Sequence, residues 1–129
     1  MAENVLCVKS EDFAVRVVNA YKCLHFERKE HVCSKQLLRS GTSIGANVAE
    51  AQCAQSDSDF LSKMQIAFKE CNETLYWLRI LKRTNYISDA EYNSMHRSAD
   101  ELFSILTSVI KTVKQKLESK NGKKKILNS

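Results

Sequence analysis

The sequence predicts an all-α protein, an up-down-up-down antiparallel four-helix bundle, from three observations. There is no proline in 129 residues and there are only three glycines, so the turn chemistry that hairpins need is nearly absent. Apolar residues recur at alternating spacings of three and four along four separate stretches, which is the period of a helix with one buried face. Short polar segments carrying capping residues separate these stretches, and helices joined by short connections pack as antiparallel neighbours. A chain of this length makes one domain with a core of its own. The boundaries read as a bundle over residues 1–118 and a disordered basic tail over 119–129.

The first helix is predicted to begin near Ser10, an N-cap followed by Glu11 and Asp12 in the first turn, where carboxylates suit the positive helix end. Its seam is Phe13, Val17, Ala20 and Leu24, widened by Ala14, Val18 and Tyr21. The charged run Glu27-Arg28-Lys29-Glu30 ends the pattern and reads as a solvated connection.

The second helix is predicted over 32–54 and holds the stretch that organises the chain. Glycine inside a helix costs about 1 kcal/mol relative to alanine, yet Leu37, Gly41, Ile44, Val48 and Ala51 keep their spacing through both Gly41 and Gly45. One continuous helix follows; the alternative is a break at Gly41 with Thr42 or Ser43 capping a new helix. Gly41, Gly45 and Ala49 form a ridge that lets another helix approach closely. Beside it, Ser40, Ser43, Asn47 and Glu50 form a polar helix-packing stripe that either hydrogen-bonds to a facing helix or is a solvated flank.

Ser56, with Asp59 three residues on, caps the third helix. The seam Phe60, Met64, Ala67, Cys71, Thr74, Leu78 and Leu81 predicts a rod about 35 Å long. A second stripe, Ile66, Glu70, Glu73, Trp77 and Ile80, mixes aromatic, aliphatic and acidic residues. It reads either as a subunit interface or as flank packing against a neighbouring helix. Residues 83–87 make the next turn. Ser88-Asp89-Ala90-Glu91 is a capping box, and Tyr92, Met95, Ala99, Leu102, Leu106, Val109, Val113 and Leu117 carry the fourth helix.

Charge is concentrated at one end. From residue 111 onward there are seven lysines, Lys111, Lys114, Lys116, Lys120, Lys123, Lys124 and Lys125, against one acid, Glu118, a net of +6. The first 110 residues hold 13 basic and 14 acidic side chains, a net of −1. A localised basic segment suits a polyanion, and it is also a common solubilising end. No helix interleaves aromatic with basic residues in the manner that stacks on single strands.

Chemistry is sparse. None of His25, His31 and His96 has a glutamate three residues before it, so the di-iron pattern of helical bundles is missing, as are phosphate-binding glycine loops and hydrolase elbows. Glu50, Glu70 and Glu73 are the carboxylates available for acid–base work; no enzyme is expected. Cys7, Cys23, Cys33, Cys53 and Cys71 are an odd set without C-x-x-C and read as small apolar side chains in a reducing compartment. Cys23, His25, His31 and Cys33 offer donors that zinc accepts, but Cys23 and His25 point to nearly opposite sides of a helix, so no metal is assigned. No apolar run is long enough to span a bilayer, and residues 1–7 lack the features of a signal peptide. A cytoplasmic protein without cofactor, membrane contact or small-molecule substrate is expected.

The motifs Ser43-Ile44-Gly45-Ala46-Asn47-Val48-Ala49-Glu50-Ala51, Ser58-Asp59-Phe60, Ile66-Ala67 and Glu73-Thr74-Leu75-Tyr76-Trp77-Leu78 resemble the four-helix bundle proteins of 23S rRNA intervening sequences, sometimes labelled S23 ribosomal proteins. The resemblance spans residues 8–117. The usual Ser-Ile-x-x-Asn-Ile-Ala-Glu-Gly appears with Val48 and Ala51 substituted, and Lys69-Glu70 follows Phe68 where many members have Gly-Ser. The resemblance implies a ring-like homopentamer around a central channel. A similar protein, the accessory variability determinant of diversity-generating retroelements, implies nucleic-acid binding and work with a reverse transcriptase. Five copies would raise the basic segments to roughly +30 in total. The expectation is a non-enzymatic homo-oligomer that binds RNA or DNA without sequence specificity through the seven lysines, with Ile66, Glu70, Glu73, Trp77 and Ile80 between subunits. The alternative is an oligomeric scaffold for a protein partner such as a reverse transcriptase.

Overall fold

The computed structural model describes the backbone of residues 2–128 and the side chains of residues 4–122. Four helices follow one another: α1 (Ala2–Lys22), prolonged by a π-helical turn (Cys23–Glu27), then α2 (Cys33–Ala51), α3 (Asp57–Arg83) and α4 (Asp89–Asn128). There is no strand among the described residues. Sequential helices run antiparallel. Gly45 faces Ser10 and Gly41 faces Val17, the Thr74 hydroxyl meets that of Ser40, and Phe68 lies against Phe103. The ring of contacts closes where Lys9 pairs with Glu101 at 2.6 Å and Arg16 donates to the Ser94 and Ser98 hydroxyls, both at 2.7 Å.

The start of α1 departs from the expected N-cap at Ser10. Ser10 is buried within the helix and its hydroxyl donates to the Cys7 carbonyl at 3.2 Å. The seam therefore extends back through Leu6, which is fully buried. A serine that satisfies itself on its own helix sits as easily inside as at the end, which is why the residue type misled.

Gly41 and Gly45 do not break α2, and they bring α1 close. A β-carbon on Gly41 would lie 2.7 Å from a Val17 methyl, and one on Gly45 would lie 3.1 Å from the Ser10 carbonyl oxygen. Ala49, the third member of the predicted ridge, is exposed. The helix stops at Ala51, three residues short of the expected 54.

Glu30 corrects the reading of its segment as a solvated connection. It is buried, and its carboxylate accepts from the backbone N–H groups of Val32 (3.0 Å), Cys33 (2.8 Å) and Ser34 (2.5 Å). Those are orphan donors of the first turn of α2, where no N-cap side chain serves. Desolvation pushes the Glu30 carboxyl up, but the amides of Cys33, Ser34 and Val32 together hold it below the ordinary range. Lys29 (φ 57°) and Asn85 (φ 65°) adopt the left-handed conformation that ends the first and third helices.

The capping predictions for α3 and α4 hold. Ser56 Oγ accepts from the Asp59 N–H at 3.0 Å, and Ser88 and Glu91 exchange bonds of 2.9 and 3.1 Å. The disordered tail expected over 119–129 is instead helical as far as Asn128. Loss of apolar periodicity and the run of lysines were its signs, but lysine and leucine, five of these eleven residues, favour helix by themselves. At the base of this extension Lys116 and Lys120 are tied to Asp57.

Candidate nucleic-acid interface

The capping box at Ser88 starts α4 in register with α3, and Met95, Ala99, Leu102, Leu106 and Val109 hold it on the core. Beyond Val109 burial thins. Val113 and Leu117 are half-buried, while Lys111, Lys114, Lys116 and Lys120 are exposed. The helix thus presents its described lysines at the thinly packed end of the bundle, beside the first half of α3.

These lysines fall into two groups. Lys120 Nζ lies 2.8 Å and Lys116 Nζ 3.5 Å from Asp57 Oδ2. The Lys120 hydrogen bond, reinforced by the charges of Lys116 and Lys120, holds the Asp57 carboxyl below the usual carboxylate range. Asp57 also stands in the first turn of α3, where a negative charge suits the helix end. Lys111 and Lys114 point elsewhere. With Lys69 of α3 they line an open groove of about 700 Å³, whose apolar lining is Phe68 and Ile110 and whose one acid is Glu118. The side chains of Lys123, Lys124 and Lys125 lie outside the described residues.

The α3 stripe Ile66, Glu70, Glu73, Trp77 and Ile80 divides by chemistry. Arg39 of α2 reaches across to Glu70 at 3.1 Å and pairs closely with Glu73. Trp77 Nε1 donates to Glu73 Oε1 at 3.1 Å. The Arg39 bond, with that of Trp77, holds the Glu73 carboxyl low. Polar members of the stripe are thus engaged within the chain, Trp77 and Ile80 are half-buried, and Ile66 remains 39% exposed.

Only part of the α2 polar stripe crosses to another helix. Ser40 is buried, its hydroxyl 3.0 Å from that of Thr74, and Glu50 pairs with Lys63 at 3.3 Å. Ser43 and Asn47 correct the expectation of a facing partner, because they donate back to the carbonyls of Arg39 (2.5 Å) and Ser43 (2.8 Å) on their own helix.

The cysteines and histidines near the first turn do not converge. Cys23 Sγ donates to Glu27 at 3.2 Å, while His25 and His31 meet through their Nδ1 atoms at 3.0 Å. Among the described residues no group of three or more His, Cys, Asp or Glu side chains is placed to hold a metal ion. No helix among them is long and apolar enough to cross a membrane.

The juxtaposition of Phe68 and Lys69 with Lys111 and Lys114 escaped the sequence reading because some forty residues separate the two segments. The signal that finds it is the antiparallel register of α3 and α4 about their short turn, which sets Phe68 opposite Phe103.

Fold and charge together define an all-helical bundle protein with a basic helical end. The family model for the 23S rRNA-intervening sequence protein matches residues 3–108, and the chain belongs to that family. A similar solved structure is that of a protein with unknown function from the S23 ribosomal protein family of Bacteroides thetaiotaomicron VPI-5482. It is 55% identical, with a TM-score of 0.85, over 86% of this chain and 99% of that one. No curated protein matches the chain.

Proposed function

We propose that this protein is a non-enzymatic homo-oligomer that binds RNA or DNA without sequence specificity through the basic part of α4. The observation that carries the reading is the separation of charge, +6 from residue 111 onward against −1 before it. Lysines on one helix release counterions when they meet phosphates, and several copies in one assembly add their effects. The exposure of Ile66 (39%) and Tyr76 (46%) on α3 supports a subunit face there, and a closed ring of five would cover it on every copy.

The test is solution mass by light scattering, with and without mixed RNA and DNA, at low and moderate salt. A mass above one chain that rises with nucleic acid and falls back in salt is expected; a mass that ignores nucleic acid at low salt refutes the binding reading. Ile66→Asp should shift the assembly toward monomer, and an unchanged mass would refute the α3 interface.

A second reading, an oligomeric scaffold for a protein partner, is favoured by the outer face of α1. Val8 (61%) and Val15 (57%) are exposed there, one above the other at helical spacing. Binding through such a face would respond little to salt, which separates the two readings.

A further inference from the structure

We propose that the groove between α3 and α4 seats single-stranded nucleic acid, with a base against Phe68 and Ile110 and the flanking phosphates on Lys69, Lys111 and Lys114. The inference rests on the polyanion-binding reading above and gives it a place and a strand preference.

Charge is the first argument. The groove is lined by three lysines and one glutamate, a net of +2. Among the described residues Lys69, Lys111 and Lys114 enter no ion pair, whereas Lys116 and Lys120 are both engaged by Asp57. A phosphate reaching Lys111 or Lys114 displaces only mobile counterions; one reaching Lys116 or Lys120 must first compete with a fixed carboxylate. Among the described lysines of this segment the two pairs are therefore unequal, and the pair without a carboxylate partner is the pair that faces the groove.

The apolar lining is the second argument. Phe68 is held in place by Phe103, ring centroids 4.6 Å apart at 35°, so a base that stacks on it orders little of the protein. Gln65 and Gln115 line the same groove, and their amides both donate and accept, which suits base edges without choosing one base. Aromatic and basic groups that no single helix interleaves are interleaved across two. This is the combination that binds single strands with little sequence preference.

The same features disfavour other anions. An amphipathic acidic helix needs apolar anchors over about two turns, and here the apolar lining is two residues. A duplex offers phosphates but keeps its base faces stacked away from Phe68.

The experiment is fluorescence anisotropy on the full chain with labelled oligouridylate, oligothymidylate and a duplex, over a salt series. The double variant Lys111→Gln/Lys114→Gln is expected to weaken single-strand binding by about tenfold and to flatten the salt slope by about 1.4, the effect of two lost phosphate contacts. Phe68→Leu, which keeps an apolar side chain in place, should weaken it by about fivefold and leave the duplex unaffected, whereas Phe68→Tyr, which keeps the ring, should stay within about twofold of wild type. Lys116→Gln/Lys120→Gln should also change affinity by less than about twofold. Equal weakening by the two lysine pairs, or no effect of Phe68→Leu on single strands, overturns the groove and leaves non-specific binding standing. Failure of the wild-type chain to bind any probe at low salt overturns both. Phe68-dependent displacement of the strand by an acidic helical peptide that binds more tightly would assign the groove to a protein and overturn the proposal. Oligouridylate against oligothymidylate tells whether RNA or DNA is preferred.

Discussion

Replacing Glu30 tests the local physics of the fold most directly. Its carboxylate takes the first three N–H groups that α2 would otherwise leave without partners, at 2.5 to 3.0 Å, and is itself buried. Loss of a capping side chain costs up to about 2 kcal/mol, and a partly buried charge at a helix end contributes up to about 2 kcal/mol. The two overlap, so Glu30→Ala should cost about 2–3 kcal/mol, with the amides left unpaired. Glu30→Gln keeps one acceptor oxygen without the charge and should cost about 1 kcal/mol. At a urea slope of about 2 kcal/mol per molar, the alanine variant should unfold roughly 1 M earlier. Protein concentration must be held fixed, because assembly would shift the midpoint. The pH dependence has a definite sign. The folded carboxyl sits below its ordinary 4.5, so the unfolded chain takes up the proton first. The stabilisation is complete above about pH 5 and is lost as pH falls through the folded value, so wild type and Glu30→Gln should converge there. A Glu30→Ala variant within about 0.5 kcal/mol of wild type, or a gap from Glu30→Gln that does not narrow in acid, would refute the capping role.

Three further outcomes follow from the packing. Gly41→Ala should destabilise by about 1 kcal/mol in a thermal melt, since crowding against Val17 at 2.7 Å outweighs the helix gain, whereas Gly122→Ala, with no atom within 4 Å, should be neutral or stabilising. Ser40→Ala and Thr74→Val should each cost about 1 kcal/mol, and the double variant less than their sum, because the two buried hydroxyls share one bond; strict additivity would show they are uncoupled. The Cys71 thiol is buried, donates to the Ala99 carbonyl at 3.3 Å and is pushed up to about 12 by burial. In the native state a thiol reagent should therefore label exposed Cys53 and spare Cys71 until urea unfolds the chain.

The sequence by itself determined the four helices and most of their buried faces. Period is a local property: Ile44 and Val48 on α2, or Met64, Cys71 and Leu78 on α3, fall on one side of a helix whatever packs there, and all are buried. It determined the capping of α3 and α4, because Ser56 and Ser88 act within three residues of themselves. It also fixed the imbalance of charge. Where one residue type serves two local uses, the sequence was ambiguous. Ser10 looked like a cap and is a buried interior residue, and Glu30 looked like part of a solvated run and is a cap. Only the tertiary structure decided which polar side chains find partners across the bundle. Ser40 reaches Thr74, Arg39 reaches Glu70 and Glu73, and Asp57 holds Lys116 and Lys120. Ser43 and Asn47, on the same stripe as Ser40, bond to their own helix. The groove of Phe68, Ile110, Lys69, Lys111 and Lys114 belongs to the same class. Its parts come from two segments some forty residues apart on consecutive helices, and their meeting depends on antiparallel register and helix rotation, which are set by the packing of whole faces and are not encoded in any one stretch.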